Sequence, residues 1–202
     1  MIRKQVHQLQ FVGSFPGDVP ELGLPEVAFA GRSNVGKSSA LNQLLQRKKA
    51  ARVSSTPGRT QAINLFKLGD GCVFADLPGY GYAKVPTAVQ EQWKPMIERY
   101  LGERRELRLV VLLVDARRQP MESDGMLLYA LTEAGIPGLV VATKVDKLGK
   151  QERARQLAAI RREFALPAGQ PVPFSSVTGE GRDAVWDRIE AACAQPARWA
   201  DG

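Results

Sequence analysis

An apolar stretch, Val27-Ala28-Phe29-Ala30, runs directly into Gly31-Arg32-Ser33-Asn34-Val35-Gly36-Lys37-Ser38. The second stretch fits G-x-x-x-x-G-K-[ST] without a gap, and Leu41, Leu44 and Leu45 behind it fall on one helical face. Strand, glycine-rich turn and helix in that order leave few folds open. The glycines let the backbone curl until several amide N–H groups share one concavity, and the helix adds its positive N-terminal end. Such a concavity suits phosphate oxygens. Lys37 is placed to reach the β- and γ-phosphates and is the candidate catalytic cation, while Ser38 is a candidate Mg2+ ligand. Gly31, Arg32, Ser33, Asn34, Val35, Gly36, Lys37, Ser38 and Ser39 are the candidate phosphate-binding residues. Without its flanks, the stretch would read as a glycine-rich turn with an exposed lysine.

The rest of the chain alternates strand and helix patterns. Strands are expected near 27–30, 62–68, 72–76, 109–114, 138–142 and 172–174, and helices near 37–46, 87–101, 123–134, 150–164 and 181–193. This predicts an α/β fold with a mostly parallel, six-stranded sheet and helices on both faces. Pro16, Gly17, Pro20, Gly23 and Pro25 break up the start. We divide the chain into an N-terminal extension (1–23), a nucleotide-binding domain (24–195) and a C-terminal tail (196–202). Residues 47–62, basic and then rich in Ser, Thr, Gly and Pro, read as one long functional loop.

Four further segments bear on the phosphate site. Asp76-Leu77-Pro78-Gly79 ends a strand, where a carboxylate can hold Mg2+ through water and the Gly79 amide can reach a γ-phosphate. Thr60, in the long loop, can complete the metal shell when a γ-phosphate is present, and Thr56 competes with it by spacing. Gly58, Arg59, Gln61 and Ala62 are counted beside Thr60 as nucleotide-binding candidates. Thr143-Lys144-Val145-Asp146 follows a strand, and its carboxylate can accept the N1–H and N2–H2 of guanine, donors that adenine lacks in that arrangement. Phe174, Ser175 and Ser176 open a loop of small residues that can close a base pocket. Taken one at a time, each segment also reads as an ordinary capping or surface turn. Their order behind a phosphate loop favours the functional reading.

With these motifs in place, the chain resembles the EngB (YihA/YsxC-type) family of translation-factor-class GTPases. The resemblance rests on Gly31 to Ser39, Thr56-Pro57-Gly58-Arg59-Thr60-Gln61, Asp76-Leu77-Pro78-Gly79-Tyr80-Gly81-Tyr82, Thr143 to Asp146 and Ser175-Ser176, and it covers nearly the whole chain. It implies a Ras-like domain that binds GTP and GDP with Mg2+, and it assigns Thr60 rather than Thr56 to the metal beside Ser38 and Asp76. It also implies a bacterial cytoplasmic protein acting in large ribosomal subunit assembly, with a link to cell division and septation. Tyr80 stands where many GTPases carry a water-orienting glutamine, so slow GTP hydrolysis is expected. Asn34 is a candidate K+ ligand, since related GTPases with asparagine there bind that ion. Thr143 replaces a common asparagine, which the family pattern accepts.

Net charge bears on partners. At +7, with a sequence pI near 9.6, the chain favours polyanionic partners: nucleic acid, a ribonucleoprotein or an anionic membrane surface, of which the resemblance implies the large ribosomal subunit or its rRNA. Arg47, Lys48, Lys49, Arg52 and Arg59 gather in or beside the long loop, and Arg99, Arg104, Arg105 and Arg108 flank a later helix. No apolar run approaches the roughly 20 residues of a membrane span. No secretory signal is apparent at the start, and Cys72 and Cys193 lack metal-ligand spacing, so a reduced, cytoplasmic monomer without stable membrane association is expected. Two rival functions stand beside the GTPase: a nucleotide-stabilised scaffold with negligible turnover, and an ATP-using small-molecule kinase. The kinase gives no reason for Thr143 to Asp146.

Overall fold

Strands covered on both faces need apolar residues in near-continuous runs, and the chain supplies them at its centre. In the computed structural model, residues 1–47, 62–80, 95 and 97–197 are described. Strands β1 (Leu9–Phe15), β2 (Glu26–Gly31), β3 (Ile63–Leu68), β4 (Cys72–Asp76), β5 (Leu107–Asp115), β6 (Gly138–Thr143) and β7 (Val172–Pro173) form one sheet, ordered β1-β3-β4-β2-β5-β6-β7. Strand β3 alone runs against the others.

Alternate side chains of each strand serve opposite layers. Val27, Phe29, Leu109, Val111 and Leu113 join one core with α1 (Lys37–Leu44) and α5 (Arg182–Cys193). Ala28, Ala30, Val110, Leu112 and Val114 join the other, which takes in helical residues 97–103 (α2), α3 (Glu122–Glu133) and α4 (Lys150–Glu163). Trp186, fully buried, donates its indole N–H to the Leu44 carbonyl at 3.3 Å and lies 5.4 Å from the Phe74 ring, tying α1 to α5 and the sheet.

The Ras-like α/β fold expected from sequence is present, with seven strands rather than six. The additional strand is β1, from the stretch read as an extension. It pairs antiparallel with β3, and Phe11 stacks 5.4 Å from Phe66. Arg3, just before it, bonds Glu190 on α5 through main chain and side chain. Arg104 does not belong to the expected basic surface. Only 6% exposed, it pairs with buried Glu26 and donates to the Val19 and Pro20 carbonyls, because a buried carboxylate demands a fixed cation.

Chain order reverses at β2: its successor β3 lies on one side of the sheet and β5 on the other. Ligands of open α/β sheets bind at the carboxyl ends of strands beside such a switch point. The carboxyl ends of β2, β4, β5 and β6 carry Gly31, Asp76, Asp115 and Thr143.

Candidate functional site

The loop after β2 is shaped by close approach. A Cβ on Gly31 would stand 2.8 Å from the Leu113 carbonyl oxygen and 3.0 Å from Val35, so only glycine fits. Asn34 and Gly36 have positive φ, 64° and 101°, which turns the chain into α1. Val35 is buried and anchors the loop, Ser38 is half-buried in the first turn of α1, and Asn34 and Ser39 are exposed.

Lys37 and Asp76 form an ion pair across this loop, their side chains only 12% and 10% exposed. Asp76 is held where β4 ends, and the next amide, Leu77 N–H, donates to the Phe29 carbonyl at 3.0 Å. Leu77 and Pro78 are buried, and a Cβ on Gly79 would sit 3.3 Å from Ser33 Oγ. The segment Asp76 to Gly79 therefore lies directly on the phosphate loop.

The second motif abuts the first. Thr143, buried, places its hydroxyl 2.6 Å from the Val35 carbonyl. Lys144 adopts left-handed backbone, φ 61°, and donates to the Asn34 carbonyl at 2.6 Å and to Asp115 Oδ2 at 2.9 Å. Val145 is core. Asp146 accepts the Ser175 hydroxyl at 2.7 Å, a bond that holds its carboxyl below the usual range. Ser175 is fully buried and in turn accepts the Val177 and Thr178 amides at 3.2 and 3.1 Å. That chain of bonds fixes the Asp146 carboxylate as an ionised, oriented acceptor. Phe174 lies in the core, its amide bonded to the Ala142 carbonyl, and Ser176 is half-buried at the loop surface.

Sequence-predicted residues thus converge on one edge from β2, β4, β6 and the loop after β7. Gly58, Arg59, Thr60 and Gln61, with Thr56, lie outside the described residues, and Ala62 is half-buried before β3. Asp115 was missed. It is 7% exposed and takes Lys144 together with three bonds from Arg117. Burial raises its carboxyl, yet Arg117 and Lys144 outweigh burial and bring it to about 2. The available signal was an aspartate closing a strand at the same sheet edge as Asp76. Asp124, buried in the first turn of α3, accepts the Tyr80 phenol at 2.6 Å, and nothing in its local sequence pattern marks it.

The family model described as a 50S ribosome-binding GTPase matches residues 26–144. A probable GTP-binding protein EngB of Citrifermentans bemidjiense is 53% identical over 188 residues, covering 92% of this chain and 88% of the relative. That of Geobacter metallireducens is 51% identical, covering 94% of each. The chain belongs to the EngB family of GTP-binding proteins. A crystal structure of a probable GTP-binding protein engB aligns with TM-score 0.70 and 26% identity, over 83% of this chain and 98% of that one. Aquifex aeolicus Era bound to GDP and AlF4− shares the fold, with TM-score 0.67 and 22% identity over 85% of this chain and 57% of that one. EngB membership makes this chain a P-loop GTPase, and the matched span takes in Lys37 and Asp76.

Proposed function

We propose that this GTPase binds GTP and GDP between the Gly31–Ser39 loop and Asp146, and hydrolyses GTP slowly as a switch in large ribosomal subunit assembly. The observation that carries the reading is the pair of anchored charges on one sheet edge. Lys37 is held by Asp76, and Asp146 is held by Ser175. An ammonium suits a triphosphate, and an oriented carboxylate suits the two guanine donors. A kinase using ATP has no use for the second.

Ser38 and Asp76 offer hydroxyl and carboxylate oxygens beside Lys37, a donor set that fits Mg2+, with Thr60 the family's third contributor. When bound, the ion supplies charge neutralisation at the phosphate oxygens. Asn34, exposed at the loop tip, is our candidate for a K+ ligand. Tyr80 is buried and its phenol is committed to Asp124, which supports low intrinsic turnover. The same observation favours the second reading, a nucleotide-stabilised scaffold.

Charge and family description together point to the large subunit as partner, and the family resemblance extends the role to cell division and septation in the bacterial cytoplasm. Among the described residues no helix is long and apolar enough to cross a membrane. Arg47 is exposed and reaches the His7 carbonyl at 3.3 Å, placing the start of the basic segment beside the N-terminal segment. The test is co-sedimentation with large subunits in GDP and in a non-hydrolysable GTP analogue across a salt titration. Tighter binding with the GTP analogue, weakening with salt through counterion release and reduced by alanine at Arg47, Lys48 and Lys49, is expected. Binding indifferent to nucleotide would contradict the switch.

A further inference from the structure

Tyr80 is held from two sides. Its main chain bridges to Arg32 in parallel fashion, and its carbonyl accepts the Ser33 amide at 3.0 Å. Its side chain turns the other way, and the phenol donates to Asp124 Oδ1 at 2.6 Å. Tyr80 and Asp124 are 8% and 4% exposed, so this bond lies out of water. Asp124 sits in the first turn of α3, its amide bonded to the Met121 carbonyl at 2.9 Å. The helix is rooted in the core through Leu131. Burial raises the Asp124 carboxyl, while the Tyr80 phenol and the charge of Arg32 work the other way.

A phenol turned toward α3 cannot align an attacking water. What the Gly79–Tyr80 loop can offer the reaction is its main chain, and a loop backbone is useful only if a rigid element fixes it. We propose that Asp124 is a positioning residue for GTP hydrolysis, acting through the Tyr80 phenol to seat the Gly79–Tyr80 backbone on the phosphate loop. This rests on the reading of that loop as the hydrolytic centre. It gives Tyr80 a task that a glutamine at this position would not share, and it couples α3 to the segment that meets the γ-phosphate.

The experiment is single-turnover GTP hydrolysis with enzyme in excess, alongside GDP affinity, for Tyr80→Phe, Asp124→Ala, Asp124→Asn and the Tyr80→Phe/Asp124→Ala double variant. A small misplacement of a reacting group costs up to about a hundredfold in rate. Tyr80→Phe and Asp124→Ala should each slow hydrolysis roughly ten- to hundredfold, with GDP affinity held within about twofold. The double variant should be no slower than the slower single, since both remove one bond. Asp124→Asn keeps an oxygen acceptor and should recover most of the rate. A wild-type rate in Tyr80→Phe, or losses that multiply in the double variant, would overturn the proposal. Tyr80→Phe removes a single oxygen and decides the matter should Asp124→Ala fail to fold. If the unaltered protein bound no GTP, the site reading itself would fall, and this proposal with it. If it hydrolyses GTP and the variants do not differ, the proposal alone falls.

Discussion

Lys144 Nζ stands 2.6 Å from the Asn34 carbonyl oxygen, joining the proposed base motif to the phosphate loop. Two motifs 110 residues apart in sequence thereby share one bond, and the second bond of the same ammonium, to Asp115, extends the link to the end of β5.

Loss of that ammonium should be felt at the ligand more than in the fold. Lys144→Ala and Lys144→Gly should both speed release of a fluorescent guanine nucleotide by about tenfold or more, the factor expected for about 1.4 kcal/mol of lost interaction. Because residue 144 has φ 61°, the glycine variant should resist urea better than the alanine variant by about 1 kcal/mol. Equal stability of the two would show that the left-handed backbone carries no strain.

Acid stability should report on Asp115. Its folded pKa of about 2 lies below the roughly 4 of an unfolded aspartate. A depressed carboxyl stabilises the fold fully above about pH 4 and loses that contribution as pH falls toward about 2. Unfolding followed from pH 7 down to pH 2 should therefore show a shallower acid limb in Asp115→Asn, with lower stability at neutral pH. Superimposable limbs would mean that Arg117 and Lys144 hold no ionised partner there.

The Lys37–Asp76 pair makes a linked prediction. Removing one member of a buried pair strands the other, at a cost of about 3 kcal/mol. Lys37→Ala should lose GTP affinity and also melt several degrees lower, since 1 kcal/mol is about 2–4 °C for a domain of this size. The Lys37→Ala/Asp76→Ala double variant should regain part of the melting temperature and none of the affinity. A Lys37→Ala protein as stable as the parent would break the pairing argument.

Ion dependence tests Asn34. Its exposed place at positive φ leaves the side chain free of the core. GTP turnover should be faster in K+ than in Na+ at equal ionic strength, and Asn34→Ala should level the two. Equal rates in the parent protein would remove the ion from the account.

Much of this was legible in the sequence because it is local. The phosphate loop announces itself through glycines at fixed spacing, and Asp76, Thr143 and Asp146 through their places after apolar strands. The strands β2, β5 and β6 are legible for the same reason, as runs of Val, Leu and Ala. What sequence hid depends on tertiary pairing. Nothing in Leu9 to Phe15 shows that β3 would leave an edge for it to cover. Arg104 looks like any other basic residue until Glu26 is seen beside it. Asp124 takes its meaning from Tyr80, 44 residues away, and Asp115 joins the site through Lys144, 29 residues away, beside its local bonds from Arg117.

The most direct test of a guanine site is a change of base preference at Asp146. Ser175 fixes that carboxylate as an acceptor, and guanine supplies donors at N1 and N2. Xanthine carries a carbonyl in place of the amino group, which an amide can match by donating. Competition titrations of GTP, ATP and xanthosine triphosphate against a fluorescent guanine nucleotide, on the parent and on Asp146→Asn, measure the preference. The parent should bind GTP far more tightly than ATP, and Asp146→Asn should lose GTP affinity while gaining relative affinity for xanthosine triphosphate. An Asp146→Asn protein with the parent's order of preference, or a parent that ATP displaces as well as GTP does, would contradict the guanine site.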